Sequence, residues 1–283
     1  MRRDRIAEDI YTFSSDVYAQ VTSGVILTTE GTIVIDTLPF PEETRQVLAF
    51  ARERGKGPVR YVINTHHHSD HTNGNFLFPE AEVIGHRLCR QKMLTSGVRT
   101  LAEAKREQPE LNEVELRPPN VVFEHDVYVH LGGRALCLTP LPGHTEDSIG
   151  VMIEGDRILF SGDAVLPVPH VVWGDPEEMI RSLKAVRTLK PESVIQGHGD
   201  LLLKGELVDE IESSIHYLEC VTTRVRELVQ KRAPTSALLE IDIESCGKSR
   251  VPLDGLVQFL HRDNLLALYH KYQAAERPRK PAS

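Results

Sequence analysis

The chain is short of the features that define several protein classes. Cysteine is scarce: four residues in 283, at positions 89, 137, 220 and 246, with no CxxC pair. That argues against a disulfide framework and leaves free thiols in a reducing compartment as the simplest reading. No segment offers about 20 consecutive apolar residues, so no membrane span is expected. The first residues, MRRDRIAEDIYTF, break every apolar stretch with charge and lack the core of a secretory signal. Taken as a native start, they place the protein in the cytoplasm. Positive charge is also short. Lys and Arg total 33 against 41 Asp and Glu, a net charge of −8. Basic residues cluster only in MRRDR at the start and RPRK (277–280) near the end. These read as solvated tails, and a nucleic-acid partner is not expected. There is no internal repeat and no low-complexity tract.

What is present points to a layered α/β protein. Hydrophobic residues make up 40% of the chain, enough for a large core. Strand patterns occupy 10–13, 17–29, 32–37, 59–65, 82–85, 121–131, 134–142, 148–155, 157–163 and 193–197. Helical patterns separate them at 41–54, 87–107 and 176–190, the last with Met179, Ile180, Leu183, Val186 and Leu189 on one face. After Gly205 the pattern becomes helical throughout. Val208, Ile211, Ile215, Leu218, Val225 and Val229 recur at near-heptad spacing, and apolar positions return near Leu256, Leu260 and Ala267. That stretch can dock on the core, cover a site, or pair subunits as a homodimer. The division expected is a catalytic domain over 1–205 and a helical extension over 206–283.

One stretch is rich where the rest is ordinary: THHHSDHTNGN (65–75). It follows the buried-type strand VRYVINT directly. In an extended segment His66, His68 and Asp70 face one way, His67 and Ser69 the other. A turn over TNGN swings His71 beside Asp70. Two donor pairs, His66/His68 and Asp70/His71, can then address two adjacent metal ions. Alone, such a turn could be an adventitious metal trap on the surface. Three further stretches decide against that. LPGHTEDS places His144, FSGDAV places Asp163 and IQGHGD places His198, each in a glycine-marked exit from a strand.

Together HxHxDH (66–71), PGHT (142–145), SGDA (161–164) and GHG (197–199) resemble the metallo-β-lactamase-fold hydrolase superfamily. VIDT (34–37) and LGG (131–133) add to the resemblance, which covers roughly residues 10–205. It implies a four-layer αββα sandwich. It implies that His66, His68 and His144 hold one metal, that Asp70, His71 and His198 hold a second, and that Asp163 bridges both. Asp36 becomes a residue that orients a ligand from behind. Imidazole and carboxylate suit zinc first, with manganese and iron also accommodated. No cysteine falls on a ligand position, unlike the lactamases that use a thiolate.

The activity this implies is hydrolysis of a small-molecule carbonyl bond (ester, thioester, lactone or amide) by a hydroxide bridging two ions. Asp70 would orient the nucleophile and pass a proton. The apolar loop 164–175, AVLPVPHVVWGD, holds the only Trp and offers Val165, His170 and Trp173 as candidate substrate contacts. The competing reading packs Val165, Leu166, Val171 and Trp173 under the C-terminal helices. His86 could lie near the metals or cap a helix. Alternatives to the hydrolase are β-lactam hydrolysis proper and an iron-dependent oxidoreductase, either sulfur dioxygenase-like or diiron. RNA processing, known among relatives, is opposed by the charge.

Overall fold

The computed structural model describes residues 1–276; RPRK (277–280) lies outside them. Two mixed sheets pack face to face. The first has seven strands in sequence order: β1 (Arg2–Ala7), β2 (Ile10–Ser14), β3 (Thr22–Thr28), β4 (Gly31–Ile35), β5 (Val59–Ile63), β6 (Glu82–His86) and β7 (Val121–Phe123). β1 to β4 pair antiparallel and β4 to β7 parallel. The second holds β8 (Val127–Leu131), β9 (Arg134–Pro140), β10 (Ile149–Ile153), β11 (Ile158–Gly162), β12 (Ser193–Gln196) and β13 (Leu202–Leu203). Its spatial order is β13-β12-β11-β10-β9-β8. Helix α1 (Pro41–Arg54) covers the first sheet and α5 (Pro176–Leu189) the second. Beyond β5 comes the single turn α2 (Ser69–Thr72), and beyond β6 come α3 (Arg87–Lys92) and α4 (Val98–Glu107). The last two helices are α6 (Lys204–Gln230) and α7 (Val257–Glu276).

Strand periodicity explains the four layers. In β4, Ile33 and Ile35 point between the sheets, where they join Ile63, Leu138, Val151 and Phe160. Val34, between them in sequence, points outward onto Val47, Phe50 and Ala51 of α1. In β11, Ile158 and Phe160 face the first sheet while Leu159 packs on Met179, Leu183 and Val186 of α5. Alternate residues therefore bury opposite faces, and each strand needs apolar residues on both. Each fully buried side chain of this kind contributes about 1.5–3 kcal/mol.

Several elements differ from expectation. Residues 121–131 form two strands, not one. β7 and β8 belong to different sheets, and the chain crosses between them at exposed Glu124, His125 and Asp126. Three consecutive polar residues cannot occupy the interior of a sandwich, so the crossing falls there. The strand expected over 17–29 begins only at Thr22. Ala19 and Gln20 take left-handed backbone conformations (φ 46° and 51°), which no strand tolerates. The basic start, read as a solvated tail, forms edge strand β1; its polar side chains stay in water while its backbone pairs with β2.

The C-terminal helices pack within the chain. The buried stripe of α6 runs through Leu207, Ile211, Leu218, Val221, Val225 and Val229, while Val208 is exposed. That stripe is covered by α5 and α7 of the same chain. None of the described helices is long and apolar enough to cross a membrane.

Candidate metal centre

Five of the seven expected donors sit one to five residues beyond a strand end. β5 delivers Asn64, Thr65 and His66; β9 leads to His144, β11 to Asp163 and β12 to His198. Strand alternation ends at His68. Asp70 and His71 lie on α2, so a helical turn and not an extended strand brings them in. The turn is fixed from inside. His71 carbonyl oxygen accepts from Thr37 N at 2.9 Å and from Asn64 Nδ2 at 3.3 Å, and Asn64 pairs with Asn75. Two glycines let the strands approach. Gly162 has φ 49° and a Cβ there would lie 2.6 Å from Thr65; a Cβ on Gly197 would lie 1.9 Å from Asp163 Oδ1.

The donor atoms converge in two sets. One is His66, His68, His144 and Asp163; the other is Asp70, His71 and His198; within each, all atoms lie inside 4.8 Å of one another. His68 Nδ1 lies 3.0 Å from both His66 Nε2 and His144 Nε2. Asp163 stands between the sets: Oδ2 is 3.4 Å from His144 Nε2 and 3.6 Å from His198 Nε2, and Oδ1 is 3.3 Å from His71 Nε2. Asp70 Oδ2 is 3.3 Å from His198 Nε2.

The outward nitrogens decide the tautomers. His144 Nδ1 donates to the His170 carbonyl (2.8 Å) and His198 Nδ1 to the Ala19 carbonyl (2.9 Å). His71 Nδ1 donates to Asp36 Oδ2 (2.9 Å). Thr65 Oγ1 gives its proton to Asp36 Oδ2 (2.6 Å), so it accepts from His66 Nδ1 at 3.1 Å. Four imidazoles thus carry their N–H outward and leave an inward lone pair. Asp36 orients two of them, directly and through Thr65. It sits just past β4 with φ 54°, a left-handed conformation uncommon outside glycine, and its Oδ1 accepts from the Thr65 N–H at 2.7 Å.

Electrostatics favour a cation here. Burial pushes the His66, His68 and His144 imidazoliums below their ordinary range, so these rings are neutral donors. Burial opposes ionisation of Asp163 and Asp70, but His198 and His71 outweigh it and hold both carboxyls below the usual range. Burial opposes positive charge on His71 and His198 as well, but Asp163 and Asp70 outweigh it and draw a proton to each inward nitrogen, which a bound cation would displace. His71 Nε2 and Asp163 Oδ1 are buried with no hydrogen-bond partner. Unpaired lone pairs of borderline and hard type, facing one another in a buried site, suit divalent metal ions.

The centre forms the floor of a cavity of about 930 Å³. Trp173 and His170 line it; the Trp173 ring is 5.0 Å from that of His68 and the residue is 64% exposed. Trp173 is therefore not packed under the C-terminal helices. Val165 is: it is buried in the apolar cluster, and Leu166 takes the place on the wall. Burial brings the His170 imidazole down to about 4, with His144 adding to it. His86 caps α3 by accepting from Leu88 N (3.3 Å) and does not line the cavity. Reading the sequence missed Thr65, Asn64 and Asn75, which hold the floor. It also missed Tyr18, on the wall, whose phenol is pushed up to about 12 by Asp70 and burial.

Comparison with known proteins agrees with this architecture. The profile of the metallo-beta-lactamase superfamily matches residues 18–198. The chain belongs to the metallo-beta-lactamase superfamily. It is 25% identical over 185 residues to a beta-lactamase-like protein 2 homolog of Caenorhabditis elegans, covering 65% of this chain and 56% of that protein. It is 30% identical over 129 residues to the cytoplasmic hydroxyacylglutathione hydrolase of Saccharomyces cerevisiae, covering 44% of this chain and 41% of that enzyme. The alignments thus span about half of these relatives' length. The crystal structure of a metallo-beta-lactamase family protein from Thermus thermophilus superposes with a TM-score of 0.71 at 16% identity, over 96% of this chain and 95% of the other.

Proposed function

We propose that this chain is a dinuclear metal-dependent hydrolase of a small-molecule carbonyl bond: an ester, thioester, lactone or amide. One observation carries the reading. Four histidines with outward-fixed N–H groups aim inward lone pairs around Asp163 at the floor of a cavity large enough for a substrate. His66, His68 and His144 would hold one ion, Asp70, His71 and His198 another, with Asp163 shared; zinc is the first candidate, ahead of manganese or iron. Bound there, such ions supply Lewis acidity and lower the pKa of water to near neutrality. The residues do the rest. Asp70 is ionised and faces the cavity, so its carboxylate can orient the attacking water and take up its proton. Asp163 sets the separation of the two donor sets. Trp173, His170 and Leu166 form the wall against which a substrate lies. Similarity to an enzyme named for hydrolysing an acylated glutathione supports the bond class.

We place the protein in the cytoplasm, supported by four cysteines that all remain free. We take residues 206–283 as a helical extension of a catalytic domain over 1–205, since α6 and α7 pack on that domain's flank. The test is metal quantification on purified protein, paired with a panel of esters, thioesters, lactones and a chromogenic cephalosporin. Two metals per chain and turnover of an ester or thioester are expected. Preferential turnover of the cephalosporin would establish the lactamase alternative, and two irons with oxygen uptake the oxidoreductase.

A further inference from the structure

The cavity wall is chemically divided, and the division points to a kind of substrate. Among the described residues, no carboxylate other than Asp70 and Asp163 on the floor lines the cavity, although the chain carries a net charge of −8. The ionised side chains on the wall are Lys92 and Arg99. Both come from the helical arm 87–107, on either side of a π-helical turn, Met93–Gly97, that joins α3 to α4. Such turns widen the helix and re-aim side chains, often at functional positions. Here Lys92, Ser96, Arg99 and Thr100 all reach the cavity. Lys92 is half-buried and pairs with Glu146 at 3.2 Å, but Glu146 is 72% exposed and does not line the cavity. An exposed pair of this type is weak enough for a bound anion to displace. Arg99 makes no ion pair among the described residues. Apolar side chains complete the wall: Met93, Leu101 and Leu116 from the arm's side, Leu253, Leu256 and Leu260 from the C-terminal side.

We infer that the cavity takes an amphiphilic anion: an acyl compound whose reacting carbonyl lies at the histidine–aspartate centre, whose apolar body lies between the leucines, and whose far end carries an anionic oxygen group seated on Lys92 and Arg99. The position of the carbonyl rests on the hydrolase reading above; the anion seat rests on the wall alone. A neutral substrate of equal length would leave Arg99 without a counter-charge and Lys92 on its exposed partner Glu146, and would gain nothing from either cation, which is the basis of selection.

The test compares 4-nitrophenyl hydrogen suberate with 4-nitrophenyl octanoate, which have acyl chains of equal length and differ by a terminal carboxylate. The metal-loaded full chain is expected to favour the suberate in kcat/KM. The double variant Lys92→Ala, Arg99→Ala should cut the suberate-to-octanoate ratio roughly five- to tenfold, as should ionic strength of about 1 M, where screening reaches only about 3 Å. Arg99→Glu should invert the preference. Arg106→Ala, on the same arm but off the wall, should leave the ratio unchanged. Fluorescence of Trp173, the only tryptophan, reads binding without turnover, with 8-amino-8-oxooctanoate and octyl phosphate as carboxylate and phosphate probes. If neither ester turns over but these probes bind more weakly to the double variant, the hydrolase reading falls and the anion seat stands. If the esters are hydrolysed with equal preference, or the ratio survives both the double variant and salt, the anion seat is overturned. If neither ester turns over and probe binding does not distinguish the variant, both fall.

Discussion

Two buried polar networks in this molecule look alike in composition and differ in closure. One is the cavity floor. The other joins the C-terminal helices: Asn264 Nδ2 donates to Pro169 O (2.7 Å) and to Tyr217 Oη (3.1 Å), while its Oδ1 accepts from Val171 N (2.8 Å). Tyr217 donates to His261 Nδ1 (3.0 Å), and His261 Nε2 donates to Ile241 O (2.8 Å). Every proton in that chain has one acceptor, so nothing is left for a ligand. On the floor the outward nitrogens of His66, His71, His144 and His198 are matched, but inward atoms are not: His71 Nε2 and Asp163 Oδ1, 3.3 Å from one another, are buried without a hydrogen bond. A closed network is a fastener, and this one ties α6 and α7 to the segment 169–171 behind the cavity wall. A network closed on one side only is a receptor, because unmatched buried polar atoms are costly unless something binds them.

That contrast is broken most directly by removing an inward donor. His68→Ala should lower bound metal from two per chain and cut hydrolysis by on the order of a thousandfold, since Lewis-acid stabilisation is worth several kcal/mol. Metal analysis by mass spectrometry and initial rates check it; full metal content with full activity would show that the floor is closed after all. Removing an outward partner should cost less. Asp36→Asn keeps the shape but loses the carboxylate that receives the His71 and Thr65 protons. Metal affinity should fall about 10- to 100-fold, read by competition with a chelator. An unchanged affinity would mean that Asp36 only shapes the backbone at its left-handed position.

The same contrast explains what was legible from the residues. The candidate donors His66, His68, Asp70, His71, His144, Asp163 and His198 could be picked out because His and Asp are among the few residue types that ligate divalent ions, and glycines mark the loops that carry His144, Asp163 and His198. The layers were legible because both faces of β4 and β11 are apolar. Partners that act through common atoms were not. Ala19 contributes a backbone carbonyl to His198, and any residue could do so; Thr65 and Asn64 are ordinary in a strand. The C-terminal helices announced themselves by periodicity, and Ile211, Leu218, Val225 and Val229 lie on the buried stripe of α6 as expected, but the stripe begins one residue earlier than the spacing suggested. Leu207 is buried and Val208 exposed, because the face that α5 and α7 cover is fixed by tertiary contacts that spacing alone does not encode. His261 gave no sign of its role, since a histidine at an ordinary helix position looks the same whether it faces water or Tyr217.

Breaking the closed network should damage stability and spare the metal. Asn264→Leu leaves the Val171 N–H and the Pro169 carbonyl buried without partners, at a cost of about 1–3 kcal/mol. A chain of this size should melt about 2–4 °C lower for each kcal/mol. Calorimetry and metal analysis on one sample separate the networks: a lower Tm with two metals retained is expected, and metal lost in proportion to Tm would show that they are one.

The smallest effect is one of pH, and it probes the fastener alone. His261 is buried against Tyr217 and the Ile241 carbonyl, with Asp242 and Arg262 nearby exerting opposite influences. Burial lowers its pKa below 6.5, so the folded chain keeps the ring neutral where the unfolded chain protonates it. The unfolded state then binds more protons. The stability this group contributes is complete above the unfolded pKa of about 6.5 and is lost as pH falls through and below it. Glutamine at this position can accept from Tyr217 and donate to Ile241 without titrating. Denaturant midpoints of the native chain and His261→Gln should therefore run parallel above about pH 7 and diverge below it, the native chain falling faster. Curves that stay parallel to pH 5 would mean that His261 carries its proton in the folded state, and that the bond to Tyr217 runs in the opposite sense, with the phenol as acceptor.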